Sequence, residues 1–276
     1  MVCHSSVTGM PIDLSSSPPK CDSCILGKQT HSLVPKMCEG ARADVVLQQV
    51  FIDLCGPMPG VSCTGNVYTM NIIDDFSSYI WCVLLKCKSD ASTTLQTWHH
   101  AVATQSSLTL KILVTDNGEL ISASTSHWCD TYGIDHQHTA PYMSAQNGHA
   151  ECLHHTLFGC TCTMHLAFNA PISLWDEFCL TAAYLTNLTA TSANHNKMPF
   201  KLWYSKIPSL SHLHEIKCCA FTFIQTNNPK IYCHSRPCML IGYAPHSKSY
   251  CLWDNMSNSV FNLYHVTFIE HLDSQL

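Results

Sequence analysis

Three acids stand where chemistry could use them. Asp53 closes the run VVLQQVFID, Asp116 closes LKILVTD, and Glu151 lies in QNGHAECLHH, one turn into an expected helix after a Gly-containing loop. Carboxylates at strand ends project from the sheet edge where ligands bind. Two strand ends and a helix start would line a site with oxygen, the donor preferred by Mg2+ or Mn2+. Two such ions about 3.5–4 Å apart can hold the attacking and leaving oxygens of an in-line phosphoryl transfer. Ordinary structure accounts for the same positions: Asp forms turns after strands, and Glu suits the first turn of a helix. Position alone leaves both readings open.

The elements that must carry these acids follow from residue patterning. VVLQQVFIDL is β-rich and runs into the turn-forming CGPMPG; NVYTMNIIDD and YIWCVLLKC are two further apolar runs around the polar corner DDFSS. Their spacing predicts an antiparallel pair. Asp74 and Asp75, in that corner, read as structural. SDASTTLQTWHHAVATQ opens on cap residues and sets Leu95, Trp98 and Val102 at helical spacing. A short buried strand ends at Asp116, a weak helix is expected near 122–132, and IDHQHT reads as a strand. APYMSAQNG reads as loop, with a helix from His149 to about Phe168. PISLWDEFCLTAAYLTNL reads as another helix, with Pro171 near its first turn. After about Asn194 short strands and turns predict a β-module. Trp175, Tyr184, Trp203 and Trp253 read as core.

Charge and cysteine content narrow the classes. Among 276 residues 46% are hydrophobic but only 12% are charged, and the formal net charge is −5. Typical domains carry about 25% charged residues, so this chain is short of the cations that phosphate binding needs. Of its 14 basic residues only Arg42 and Arg236 are arginines, against 18 His and 18 Cys. No apolar run is long enough to span a membrane, and MVCHSSVTGMPIDLSSS lacks a signal-peptide layout. The cysteines therefore read as intracellular thiols. No P-loop, G-x-S-x-G or dinucleotide fingerprint occurs.

In order along the chain stand FIDLCGPMPG, NIIDDFSSYIWCVLLKCKS, LVTDNGEL and GIDHQHTAPYMSAQNGHAECLHHTL. Together these words closely resemble the integrase core of Ty1/copia-type LTR retrotransposons, in the retroviral-integrase and ribonuclease-H-like superfamily. CDSCILGKQTHSLVPK resembles the stretch before that core, and CMLIGYAP, YCLWD and HVTFIE resemble its following SH3-like module. The resemblance implies an α/β fold: a ribonuclease-H-like mixed sheet flanked by helices, then a small β-rich, SH3-like module. It divides the chain into a pre-integrase remnant at 1–44, a catalytic core at 45–193 and a β-module at 194–276. It implies a metal-dependent polynucleotidyl transferase joining element DNA to target DNA, with Asp53, Asp116 and Glu151 as catalytic ligands of Mg2+ or Mn2+. Asn147, in the Q-N-G word, would hold the loop or touch nucleic acid. DNA and further copies of the chain are the implied partners, the nucleus the implied place of action, and no membrane is involved.

The chain also departs from the family pattern. The D-N-G-G-E word is shortened to DNGEL, and no Lys or Arg occurs from Ile112 to Asn196. Non-specific DNA affinity comes mainly from cations neutralising phosphates. Cys152, His154 and His155 stand where the family is basic, and single transitions turn Arg codons into Cys or His codons. The cluster thus reads as the trace of lost arginines and not as a zinc site. Cys21 and Cys24 have knuckle spacing, but His4 is badly placed to complete the set, so they read as half of an incomplete zinc site. The alternative function is a catalytically inactive or domesticated transposon-derived binding module.

Overall fold

The computed structural model describes residues 42–116, 118–138, 152–224, 233–244 and 247–270, together with the helical backbone of 144–151. The first sheet is assembled from β1 (Gln49–Cys55), β2 (Tyr68–Asp74), β3 (Ile80–Leu85), β4 (Ile112–Thr115) and β5 (Asp135–His138), in the order β3-β2-β1-β4-β5. β1, β2 and β3 pair antiparallel, as two apolar runs around a short corner require. β4 and β5 lie parallel to β1, each entered after a helical crossover. Those helices are α1 (Ala91–Ser106) and α2 (Ala123–Tyr132). α1 buries Leu95, Trp98 and Val102 against the sheet. Ser122 caps α2 by accepting from the Thr125 N–H, and Gly133 ends it in the left-handed region at φ 65°.

On the opposite face lie α3 (Ser144–Phe168) and α4 (Trp175–Asn187). Leu153 and Leu157 of α3 and Ala182 and Ala183 of α4 close over Phe51, Ile73, Ile80 and Val114. The second sheet is wholly antiparallel: β6 (Cys219–Phe223), β7 (Ser235–Tyr243), β8 (Tyr250–Asp254), β9 (Ser259–Leu263) and β10 (Val266–Ile269), in the order β10-β6-β7-β8-β9. Phe168, Leu174 and Phe178 pack directly on its Ile241, Cys251 and Trp253. Thr181 donates to the Ile241 carbonyl at 2.8 Å. A Cβ on Gly242 would meet that hydroxyl at 2.0 Å, so glycine lets α4 and β7 approach.

Three local expectations need correction. α3 begins at Ser144 instead of His149, so AQNG is helical backbone and Glu151 lies two turns in. An interior glycine costs a helix only about 1 kcal/mol relative to alanine, which a 25-residue helix packed on a core absorbs. β1 does not end at Asp53; β2 stays paired with it as far as Cys55↔Thr69, while β4 drops out after Ile52↔Thr115. Beyond Asn194 the chain first forms a short helix, α5 (Pro199–Tyr204), started by Pro199. Its Trp203 packs against the core of the first sheet.

The corner at Asp74 and Asp75 is built from carboxylates that accept backbone N–H groups. Asp74 takes the Leu47 N–H at 2.7 Å and the Ser77 N–H at 2.8 Å, and Asp75 takes the Ala43 N–H at 2.6 Å. Arg42 ties this corner to the 3-10 turn Ser192–Asn194: it donates to the Asp75 and Phe76 carbonyls, to Ala193 O and to Asn194 Oδ1. Arg236 pairs with Asp254 at 3.1 Å and lies over the Phe261 ring. Both arginines are thus engaged in structure.

Candidate metal centre

Asp53 and Asp116 are brought together by sheet register. Ile52 and Thr115 are parallel partners, so the next residue on each strand lies side by side at the point where β4 stops. Asp116 turns back on its own loop, where the Gly118 N–H donates to Oδ1 at 3.2 Å. A Cβ on Gly118 would lie 2.9 Å from that oxygen, so the shortened DNGEL word still relies on its glycine. Although Asp116 is exposed, the atoms around its carboxyl desolvate it and push its pKa up; the Gly118 N–H opposes the shift and the charge of Asp53 adds to it. The nearby cation is Lys88, which pairs with Glu119 at 2.8 Å and reaches the site only through the fold. Sequence reading missed it because it lies before α1, far from the acids in the chain.

The helix supplies a residue that was read differently. Leu153 and Leu157 face the sheet, His155 is exposed, and His154 sits at the edge between them. Its Nδ1 lies 3.4 Å from Asp53 Oδ2 and 3.4 Å from Asn71 Nδ2. Cys55, two residues beyond Asp53 and therefore on the same strand face, points its Sγ to the same oxygen at 3.4 Å. Burial pushes the Cys55 thiol up to about 12, helped by the Asp53 charge. Ligand atoms of Asp53, Cys55 and His154 all lie within 4.8 Å of one another, a set that could hold a metal ion. His154 is thus the member of the Cys152, His154 and His155 cluster that reaches Asp53, while Cys152 and His155 are exposed. The helical phase decided this, since a shift of one residue turns a side chain by about 100°.

Of the other expected site residues, Glu151 and Asn147 lie on the helical backbone of α3 but their side chains are outside the described residues, as are Cys21 and Cys24 altogether. The two carboxylates fit a hard divalent ion by donor chemistry. The thiol and imidazole on Asp53 are softer donors and favour a transition ion over Mg2+.

Residues 45–144 match the integrase core domain family, and residues 218–275 match the retroviral polymerase SH3-like domain family. Over 252 residues the chain is 33% identical to the retrovirus-related Pol polyprotein from transposon TNT 1-94 of Nicotiana tabacum. The chain belongs to the integrase segment of Ty1/copia-type Pol polyproteins. That alignment covers 91% of the chain and 19% of the tobacco protein. The polyprotein from transposon RE1 of Arabidopsis thaliana is 23% identical, over 91% of this chain and 17% of its own length. The integrase segment thus spans under a fifth of the polyproteins it matches. Among solved structures, a simian T-cell lymphotropic virus intasome in complex with PP2A regulatory subunit B56 gamma is 17% identical with a TM-score of 0.49, covering 92% of this chain and 88% of that one. The HTLV-2 integrase catalytic core domain in complex with magnesium (trimeric form) is 16% identical with a TM-score of 0.43, covering 58% of this chain and 99% of that one. The fold of this integrase segment is a five-stranded mixed sheet flanked by helices, followed by a five-stranded antiparallel β-module. Among the described residues no helix is long and apolar enough to cross a membrane.

Proposed function

We propose that this integrase core is a metal-dependent polynucleotidyl transferase that joins element DNA to target DNA, acting in the nucleus as a multimer. The observation that carries the reading is the side-by-side position of Asp53, within β1, and Asp116, just past the end of the parallel strand β4. Glu151, on the helical backbone one turn before His154, is the third acid of the set. Asp53, Asp116 and Glu151 would hold a Mg2+ or Mn2+ ion, which would supply Lewis-acid activation of a 3′-hydroxyl and charge stabilisation of the leaving oxygen. Asp53 and Asp116 hold negative charge at the reacting centre, and Gly118 orients the Asp116 carboxylate through its N–H. Asn147 contacts nucleic acid. Lys88, the cation felt by Asp116, is one on which DNA phosphates can act. Residues 45–193 act as the catalytic core and 194–276 as its β-module, with Cys21 and Cys24 contributing half a zinc site.

A second reading is favoured by one observation. His154 and Cys55 both engage the Asp53 carboxylate, which would suit a binding module that has given up catalysis. The test is strand transfer by the purified chain on short oligonucleotides carrying element ends, with Mn2+ at low salt. Transfer lost in Asp116→Asn supports the first reading. Absence of transfer in a folded parent chain overturns it in favour of the second.

A further inference from the structure

We infer that Asp53, Cys55 and His154 form a site for a thiolate-accepting transition ion, Zn2+ in the cell, in which one catalytic carboxylate is shared with soft donors. The inference deepens the function proposed above and rests on its reading of Asp53 as a metal ligand.

Distances argue first. With Zn–N and Zn–O bonds of about 2.0–2.1 Å and tetrahedral angles, an N···O edge of the ligand tetrahedron is about 3.4 Å. With a Zn–S bond of about 2.3 Å, an S···O edge is about 3.5 Å. His154 Nδ1 and Cys55 Sγ each lie 3.4 Å from Asp53 Oδ2. A charge-assisted N–H···O bond would draw the imidazole in to about 2.7–2.9 Å instead. The observed spacing matches the edges of a ligand tetrahedron, so one ion fits among the three groups without rearranging them.

The surroundings argue second. Asn71 is the register partner of Asp53 and is fully buried. Its Nδ2 lies 3.4 Å from the same imidazole nitrogen, and its Oδ1 has no hydrogen-bond partner among the described residues. A buried acceptor left beside three metal-type donors suits a proton of a metal-bound water in the fourth position. Access is open, because the Asp53 side chain is 41% exposed while that of His154 is 11% exposed. Charge also balances: carboxylate, thiolate and neutral imidazole together neutralise a divalent ion. An Asp, Cys and His set selects Zn2+ or Co2+ over Mg2+, which demands oxygen and keeps its waters. Zinc would therefore compete with Mn2+ or Mg2+ for Asp53, and the integrase core would be inhibited by it.

Cobalt titration of the full chain tests this, carried out in a Cys21→Ser/Cys24→Ser background after metal removal by chelation. The expected result is one equivalent of Co2+ giving thiolate-to-cobalt charge-transfer and tetrahedral ligand-field absorption, both lost on adding Zn2+. Cys55→Ser should abolish the charge-transfer band, and His154→Asn should weaken binding at least tenfold, with circular dichroism melts confirming that both variants are folded. Absence of the band in a folded background chain overturns the inference, as does its persistence in folded Cys55→Ser. The two proposals separate by a parallel strand-transfer assay in zinc-free Mn2+ buffer. Band without transfer sinks the catalytic reading and keeps the site; transfer without the band sinks the site and keeps catalysis.

Discussion

Two pairs of aspartates, made of the same residue and lying on neighbouring strands, have opposite fates in this molecule. Asp74 and Asp75 are buried and their oxygens are filled by N–H groups of Leu47, Ser77 and Ala43. Asp53 and Asp116 sit where β4 ends, partly open to solvent, and their neighbours are a thiol, an imidazole and one glycine N–H. The difference teaches that an acid becomes available for chemistry where the sheet stops supplying donors. Asp74 and Asp75 satisfy a bend that lies inside the fold. Asp53 and Asp116 flank a strand end, where ladder hydrogen bonds run out on one side but not on the other.

Breaking the open pair should have the largest effect. Asp116→Asn is expected to lower Mn2+-dependent strand transfer at least about 100-fold, the loss of a few kcal/mol of transition-state stabilisation. Its thermal midpoint should stay within a few degrees of the parent; a large drop would make Asp116 structural and erase the contrast. Asp74→Ala should do the reverse. It leaves the Leu47 and Ser77 N–H groups without acceptors inside the corner, and a denaturant titration should find the chain about 3 kcal/mol less stable. An unchanged midpoint would mean that the corner is not held by its carboxylate.

A third acid sharpens the comparison through pH. Glu177, half-buried against the β-module, accepts from the Cys251 thiol at 3.3 Å. Burial pushes its pKa up, outweighing that hydrogen bond, with Asp176 adding to the rise. The folded state therefore holds this proton at a higher pH than the unfolded chain does. Its contribution is fully present below the ordinary glutamate range and is lost as pH rises through the folded-state value. Stability should accordingly increase as pH is lowered from neutrality toward that range, and Glu177→Gln should flatten this part of the profile in pH-dependent melts. The smallest effect concerns Lys88. Lys88→Gln removes the cation that the fold brings to the open pair, and the log–log salt slope of DNA binding should fall by about 1. A slope that does not change would assign Lys88 to its Glu119 pair alone.

Much of this architecture was legible in residue order. The apolar runs around DDFSS predicted the β2–β3 pair, the cap and spacing of Leu95, Trp98 and Val102 predicted α1, and Ser122 with Gly133 bracket the weak helix. The start of α3 was not legible, because a glycine and an asparagine read as loop until a long helix packs and offsets their cost. Cys55 and His154 were missed for different reasons. Cys55 was hidden by the assumption that β1 stops at Asp53, and His154 by the ambiguity of three adjacent ligand-type residues whose direction depends on helical phase.

By itself the sequence determined the order of the elements, the scarcity of cations between Ile112 and Asn196, and the presence of an acid, Asp116, directly after a buried strand. Those depend on local pattern and composition, which the chain carries residue by residue. Only tertiary structure decided which acids meet, that both arginines are engaged in structure, that Lys88 approaches from outside the cation-free span, and that His154 and not His155 reaches Asp53. Each of those depends on register between strands or on the rotation of a helix over a sheet, and both are set by packing between segments far apart in the chain.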